Sequence, residues 1–344
     1  MQKLQKKELT RELLYDRHRL SDRQIDDWVG KGKNLGSHED IVSQLSQVAY
    51  FIEITDYFRE AGIPFNSFKG PLLSQKIYKD PTYRYFNDLD FLIDRQYLSD
   101  MLFILKERGF ENEDFELPDN ECSRKLWLDH TNQILLHNPV NNIVIEIHWS
   151  LFSVELISKN ELKVLINSNM VSTHFHGREF KVFSHEFELI YLIIHGGSHH
   201  WGRLKWLLDI KELVNRVSLN EENFWQLAKK MRANQLVALC NSLLEIYFPG
   251  SKQLTATGKT SEKMLEKALY AIEAKEMFEM KTIGEYARFY WNFSKLVPGF
   301  HYKISVVKKM LFASDLAAKQ WMPCSALLNY IFGPFWKLSR GIRF

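Results

Sequence analysis

Two aspartates with one residue between them are the feature of the sequence that points most directly to chemistry. Asp88 and Asp90 open the apolar run DLDFLID, which predicts a strand. Side chains on a strand alternate between its faces, so the two carboxylates share one face and the apolar residues share the other. Adjacent carboxylates repel unless a cation lies between them, and Mg²⁺ prefers oxygen ligands in a rigid arrangement. The pair predicts a divalent-cation site; the alternative is an edge strand with a solvated acidic face.

A third acidic residue lies in the second strand of a predicted hairpin. The runs TNQILLHN (131–138) and NIVIEIHW (142–149) flank a Pro-Val-Asn turn, and Glu146 shares the polar face of the second run with His148. If this strand neighbours 88–94, Glu146 completes a cluster of three carboxylates. Such a cluster can hold two divalent cations that position an attacking oxygen and neutralise charge on a phosphoryl group. Glu146 could instead be an edge residue or the base that takes a proton from the acceptor. His148 is predicted to contact the bound cofactor, and its alternative is a hydrogen-bonded framework residue.

A lysine and a glycine separate the extended run IPFNSF (63–68) from an apolar helical run. Backbone N–H groups at a helix start favour phosphate, Gly70 permits its close approach, and Lys69 adds a positive charge. Arg84, in the loop before the two aspartates, could clamp a phosphate. The alternatives are a glycine turn beside a surface lysine and a solvated loop arginine.

The predicted elements divide the chain into three parts. Residues 1–60 have helical periodicity, and strand and helix patterns then follow as far as a second, weaker hairpin, HFHGREFKVF (174–183), which turns at Gly177-Arg178. From about residue 185 onward every pattern is helical. The predicted fold class is α+β, with an N-terminal helical segment (1–45), a mixed domain (46–185) and an all-helical C-terminal domain (186–344).

Three segments together carry a resemblance to a known family: FKGPLLSQKIYKDPTYRYFNDLDFLID, VIEIHWSLF and IHGGSHHWGRLKWLLDI. Over roughly residues 45–250 the chain resembles nucleotidyltransferase-family proteins of bacterial biosynthetic and polysaccharide gene clusters, a divergent branch of the polymerase-β-like nucleotidyltransferase superfamily. The resemblance implies a mixed sheet with flanking helices in the domain 46–185.

The same resemblance implies roles for individual residues. Asp88 and Asp90 match the metal-binding pair, and Glu146 matches the third acidic position. Lys69 and Gly70 stand where the superfamily has its phosphate-binding Gly-Ser, although Pro71 follows the glycine in this chain.

A histidine-rich segment begins the helical domain. The resemblance implies that this domain closes over the acceptor site, so four of its polar residues could line the cleft: His195, His200, Arg203 and Asp209. Arg203 would suit a phosphate-bearing ligand. One alternative is a zinc site, since His195 and His199 are four residues apart. The other is a helix–helix junction in which Asp209 pairs with a neighbouring base.

Composition and charge exclude several classes of protein. The net charge is only +3, from 45 basic and 42 acidic residues, so we expect no nucleic-acid partner. The cysteines are three in number and far apart, which predicts neither a disulfide framework nor a cysteine metal site. The charged N-terminus lacks the apolar core of a signal peptide, and no stretch of about 20 apolar residues could span a bilayer. We therefore expect a cytoplasmic protein.

The segment 320–344 combines basic and aromatic residues. Its apolar run ALLNYIFGPFW (326–336) precedes a basic cluster, and residues 301–344 contain seven Lys or Arg against one acid, Asp315. A peripheral membrane contact through 320–344 is one interpretation. The alternative is a C-terminal helix packed on the helical domain.

These patterns predict an enzyme that uses Mg²⁺ (or Mn²⁺). It would transfer a nucleotidyl group from a nucleoside triphosphate to a hydroxyl or phosphate of a small-molecule, peptide or sugar acceptor. The first alternative is glycosyl transfer from a nucleotide-sugar at the same metal site. The second is a catalytically silent nucleotide-binding module.

Overall fold

The computed structural model describes residues 9–36, 38–112, 117–255, 260–274, 276 and 283–339. These residues form two compact units, each discontinuous in sequence. The first unit comprises the described parts of Met1–Ala49, Pro71–Phe86 and Phe183–Glu279; the second comprises those of Tyr50–Gly70, Asn87–Val182 and Met280–Phe344. Each unit is defined by contacts between segments that are separate in sequence. The domain boundaries at 45 and 185 stay a prediction.

A four-stranded mixed sheet forms the centre of the second unit. Its strands are β1 (Phe65–Phe68), β2 (Asp88–Ile93), β3 (Gln133–Asn138) and β4 (Ile143–His148), in the order β1-β2-β4-β3. β2 runs antiparallel to β1 and parallel to β4, and β3 and β4 form an antiparallel hairpin. The predicted hairpin is confirmed, as is the expectation that its second strand neighbours the Asp88–Asp90 strand.

The apolar face of the sheet packs against the end of helix α2 (His38–Glu60). Phe91 of β2 is fully buried, and its ring stacks on Phe51 at 5.9 Å between centroids and meets Phe58 edge-on at 5.3 Å. α2 ends as its sequence predicts, because Gly62 takes a left-handed φ of 67° and the N–H of Ile63 donates to the Phe58 carbonyl. This aromatic layer leaves the opposite face of the sheet for polar side chains.

The second unit also contains elements outside this sheet. They are α4 (Leu98–Glu107), α5 (Glu121–His130), α6 (Lys159–Ser168), β5 (Met170–Phe175), β6 (Arg178–Phe183), α12 (Ile283–Leu296), α13 (Phe300–Leu311), α14 (Ser314–Ala317) and α15 (Ala326–Ser339). The β5–β6 hairpin turns at His176-Gly177, one residue earlier than predicted. The physical reason is that both residues adopt left-handed φ angles, 47° and 76°, as a tight two-residue hairpin turn requires.

A disulfide joins Cys122 of α5 to Cys324, which precedes α15. The expectation that the cysteines form no disulfide is therefore wrong. The two residues are 202 positions apart in sequence, and cysteine connectivity over such a separation is set by tertiary packing that spacing alone does not contain.

The first unit is helical. It contains a π-helical turn (Leu13–Arg17), α1 (Asp22–Val29), α3 (Gly70–Tyr78), α7 (His185–Ser198), α8 (Leu204–Arg216), α9 (Glu221–Lys230), α10 (Asn234–Tyr247) and α11 (Glu262–Glu273). Among the described residues no strand follows position 183, as the periodicity predicted. None of the helices in the described ranges is both long and apolar enough to cross a bilayer.

Candidate metal centre

The polar face of the sheet brings two carboxylates and an imidazole together. Asp90 of β2 lies directly opposite Glu146 of β4 in the parallel pairing, and His148 follows two residues later on the same face. The Nε2 atom of His148 lies 3.1 Å from Asp90 Oδ1 and 3.2 Å from Glu146 Oε2. One ligand atom from each of the three residues lies within 4.8 Å of the other two. This separation is short enough for a single ion to contact all three.

Lys69 reaches the same carboxylate from the end of β1. Its Nζ atom lies 3.6 Å from Asp90 Oδ1. Lys69 and Gly70 both have left-handed φ angles, 60° and 48°, so the chain turns sharply between β1 and α3. Such a φ is costly for a lysine, and residues held in this way are concentrated at functional sites. The turn also brings Gly70 beside the main chain of Asp88, because a Cβ on that glycine would lie 4.0 Å from the Asp88 carbonyl oxygen.

The centre is buried, and its charges compensate one another. The Asp90 side chain is 0% exposed and that of Glu146 is 19% exposed. Burial lowers the pKa of His148, but its hydrogen bonds to Asp90 and Glu146 and their negative charges outweigh burial and raise the pKa above its ordinary value. Gln133 Nε2 also donates to Glu146 Oε2 at 2.9 Å, which fixes the orientation of that carboxylate.

The donor set fits a divalent cation. Two carboxylate oxygens and an imidazole nitrogen suit Mn²⁺ and similar transition metals, whereas Mg²⁺ prefers an all-oxygen environment. Because the Nε2 atom of a cationic histidine carries a proton, coordination through this nitrogen would release that proton.

The cluster contains two carboxylates and a histidine, whereas the sequence predicted three carboxylates. Asp88 is two residues before Asp90 on the same face of β2, opposite Val144 of β4. Among the described residues, it does not belong to the group whose ligand atoms lie within 4.8 Å of one another. His148 stands in the cluster with Asp90 and Glu146. The roles assigned to Asp88, Lys69 and Gly70 stay predictions.

Arg84 and Asp209, both predicted to contact a ligand, pair with each other inside the first unit. Arg84 Nε donates to both carboxylate oxygens of Asp209, at 2.9 and 2.8 Å, and the two side chains are 4% and 0% exposed. The N–H of Arg84 also donates to Ser74 Oγ at 3.1 Å. This is the arrangement of the alternative interpretation, in which Asp209 pairs with a neighbouring base. Ligand contact by either residue stays a prediction.

The histidine-rich segment forms a packed junction between α7 and α8. A Cβ on Gly196 would lie 2.3 Å from the Trp201 ring, so the glycine is needed for the two to pack. The ring of His195 contacts that of Trp206 at 5.5 Å between centroids. Burial lowers the pKa of His200 to about 3, so this imidazole is neutral near pH 7.

Arg203 immediately precedes α8, with its guanidinium 5.9 Å from the centroid of the Trp206 ring. Within the described ranges, no group of three metal-ligating side chains includes His195 or His199. The predicted contacts of His195, His200 and Arg203 with a ligand stay predictions.

A cavity of about 630 Å³ lies at the opposite end of β2 from Asp88. Its lining combines apolar and basic side chains, among them Phe65, Leu92, Trp149, Leu162, Lys159 and Lys163. None of the three cluster residues lines it. Sequence reasoning missed this cavity because it did not predict α6, which forms one wall. It also missed Gln133, although the hairpin pairs this residue with His148 and thereby brings it to the polar face.

Comparisons with known proteins bear on the family of the chain. No curated protein matches it. One solved structure, an antigenic nucleotidyltransferase-like protein from Paracoccidioides brasiliensis, is similar at 15% identity and a TM-score of 0.33, over 63% of this chain and 95% of the other. The family model described as "Uncharacterised nucleotidyltransferase" matches residues 36–249, which is more than half of the chain. The chain therefore belongs to this nucleotidyltransferase family.

Proposed function

We propose that the protein transfers a nucleotidyl group from a nucleoside triphosphate to a hydroxyl or phosphate of a small-molecule, peptide or sugar acceptor, with the help of a divalent cation. One observation carries the proposal: Asp90 and Glu146 lie side by side on parallel neighbouring strands in a member of a nucleotidyltransferase family. A role in a bacterial biosynthetic or polysaccharide cluster, and a cytoplasmic location, belong to the same proposal.

Each residue of the centre has a distinct task in this proposal. Asp90 and Glu146 would hold the cation, with His148 Nε2 as a nitrogen ligand, and the role predicted for Asp88 is that of a further metal ligand. The bound cation supplies polarisation of the phosphoryl group and neutralises its charge. Lys69, which contacts Asp90 in the structure, would instead bind a phosphate oxygen of the donor. There its positive charge would reduce the repulsion between the donor phosphate and the carboxylates.

The acceptor must also lose a proton. Glu146 is the alternative base for this step, because hydrogen bonds from His148 and Gln133 hold its Oε2 atom in a fixed direction. A base role and a ligand role differ in their consequences: Glu146→Gln would leave cation binding nearly intact if the residue is only a base, and would weaken it at least about tenfold if it is a ligand.

The direct test is a titration of the purified chain with ATP, CTP, GTP, UTP and UDP-glucose, each with and without Mn²⁺ or Mg²⁺. We expect at least one nucleotide to bind more tightly with the cation present, and Asp90→Asn to remove that dependence. Asp129→Asn, at an exposed carboxylate of α5, is the matched control and should behave as the wild type. Circular dichroism of each variant checks that the fold is retained.

The outcomes separate the proposal from its alternatives. A nucleotide affinity that changes neither with the cation nor in Asp90→Asn would favour a catalytically silent nucleotide-binding module. The Gly70-Pro71 sequence is the reason for considering this alternative. Where turnover is found, product mass decides between an added nucleoside monophosphate and an added hexose.

A further inference from the structure

Two C-terminal helices of the second unit present apolar side chains away from the protein. On α15, Asn329 and Gly333 are buried, whereas Leu327 and Phe335, on the other side of the helix, are 67% and 69% exposed. Residues four apart share a helix face, so Leu327, Ile331 and Phe335 form one continuous outward stripe. A helix that is apolar on all sides is normally buried on all sides.

Tight contacts fix which face of α15 points inward. A Cβ on Gly333 would lie 2.2 Å from the Leu311 carbonyl oxygen, so the helix approaches the end of α13 as closely as a glycine allows. The Asn329 side chain accepts from the N–H of Ala313 at 2.8 Å and donates to its carbonyl at 3.0 Å. The helix cannot rotate to bury the stripe without breaking these contacts.

The neighbouring helix α13 repeats the pattern. Tyr302 and Val306 are buried, whereas Phe300, Ile304 and Val307 are exposed at helical spacing. Ten of the twenty large apolar side chains exposed among the described residues lie between Trp291 and Leu338. An exposed apolar concentration of this kind marks an interaction surface.

The charge of these helices selects the class of partner. Residues 300–339 contain five lysines and one acid: Lys303, Lys308, Lys309, Lys319, Lys337 and Asp315. Lys303 and Lys308 of α13 are exposed, whereas Lys337 Nζ donates to the main-chain carbonyls of Lys309 and Met310. The Asp315 carboxylate accepts a hydrogen bond from Trp336 Nε1 at 2.7 Å. A second copy of the chain would bring lysines against lysines, whereas an anionic lipid surface offers negative headgroups above an apolar layer.

We propose that α13 and α15 form a membrane-binding face, which inserts its apolar side chains at headgroup level in an anionic bilayer while the exposed lysines Lys303 and Lys308 contact lipid phosphates. This inference does not depend on the proposed enzymatic function. The helices would lie on the bilayer surface.

Co-sedimentation of the full chain with vesicles tests the proposal. We expect the wild type to bind vesicles containing phosphatidylglycerol, to bind pure phosphatidylcholine vesicles weakly, and to lose binding at high salt. The double variant Leu327→Ser, Phe335→Ser should lower the partition coefficient at least about tenfold, because two large apolar side chains no longer enter the bilayer. Phe103→Ser on α4, at a phenylalanine with 66% exposure in the same unit, is the matched control and should bind as the wild type.

Three results would overturn the proposal. One is equal vesicle binding by the wild type and the double variant. Another is binding that does not depend on phosphatidylglycerol. The third is an absence of vesicle binding together with a concentration-dependent dimer in sedimentation velocity that the double variant abolishes, which would assign the face to self-association.

Discussion

At the residue scale, the contact between Lys69 and Asp90 gives a direct test of the candidate metal centre. Its ammonium lies 3.6 Å from Asp90, where it contributes a positive charge that a bound cation would otherwise supply. We expect Lys69→Met to bind Mn²⁺ about three- to tenfold more tightly than the wild type, because a competing charge is gone. The same variant should bind nucleotide more weakly. Titration calorimetry with Mn²⁺ alone, then with nucleotide, measures both effects.

The control for this variant is Lys163→Met. Lys163 pairs with Asp94 at 2.8 Å in the same unit, outside the centre, so its loss should not change Mn²⁺ affinity. Methionine at position 69 has to adopt the same left-handed φ as the lysine that it replaces. The backbone cost at this position is therefore similar in Lys69→Met and in the wild type. A Mn²⁺ affinity that falls in Lys69→Met would mean that the lysine supports the site and does not compete for it.

Sequence reasoning predicts part of the centre, and the reason is geometric. The strict two-residue period of a strand puts Asp90 on one face of β2 and Glu146 and His148 on one face of β4, whatever surrounds them. Parallel pairing in the observed register, with Asp90 opposite Glu146, then brings the three side chains together. The pairing of Arg84 with Asp209 has no such local signal, because 125 residues separate the two and only tertiary packing joins them.

At the element scale, the buried ion pair of Arg84 and Asp209 ties the loop after α3 to α8. Removing one partner leaves the other charge buried without compensation, so Asp209→Asn should lower the free energy of unfolding by about 3–5 kcal/mol. The double variant Arg84→Met, Asp209→Leu should recover most of this loss, since well-packed apolar side chains replace both charges. Urea unfolding followed by circular dichroism measures the three proteins.

A surface pair provides the comparison for this prediction. Arg23 Nη1 and Asp80 Oδ2 are 2.7 Å apart, and the two side chains are 52% and 32% exposed, respectively. Arg23→Met should therefore lower the free energy of unfolding by less than about 1 kcal/mol. If Asp209→Asn costs no more than this surface substitution, the buried pair is not structural, and the ligand-binding role predicted for Arg84 and Asp209 gains support.

Elements with a clear period were predictable, and those governed by backbone conformation or distant contacts were not. The apolar alternation of β2 and β4 and the glycine end of α2 are local signals. The β5–β6 turn lies one residue earlier than predicted because His176 adopts a left-handed φ, which a histidine in the sequence does not predict. The disulfide between Cys122 and Cys324 depends on where α5 and the segment before α15 meet, which no period encodes.

At the scale of the whole molecule, one buried and one partly buried histidine make stability depend on pH. Burial lowers the pKa of His18 and of His200 to about 3 each, from an ordinary value of 6.5. The unfolded chain therefore binds more protons than the folded chain between about pH 6.5 and pH 3, and the free energy of unfolding falls as the pH is lowered through that range. His148 acts in the opposite sense, because its pKa is raised and its contribution is lost as the pH rises through the folded value.

The prediction for the whole protein is a loss of stability that begins below about pH 6.5, before the carboxylates titrate. His18 and His200 should each contribute up to about 1.4 kcal/mol per pH unit to this slope. His200→Asn should reduce the slope by one such contribution. Its matched control is His176→Asn, because His176 also has a left-handed φ but is exposed. Urea unfolding at pH 7.5, 6, 5 and 4 gives the slopes, and an unchanged slope in His200→Asn would mean that folding does not lower the pKa of this imidazole.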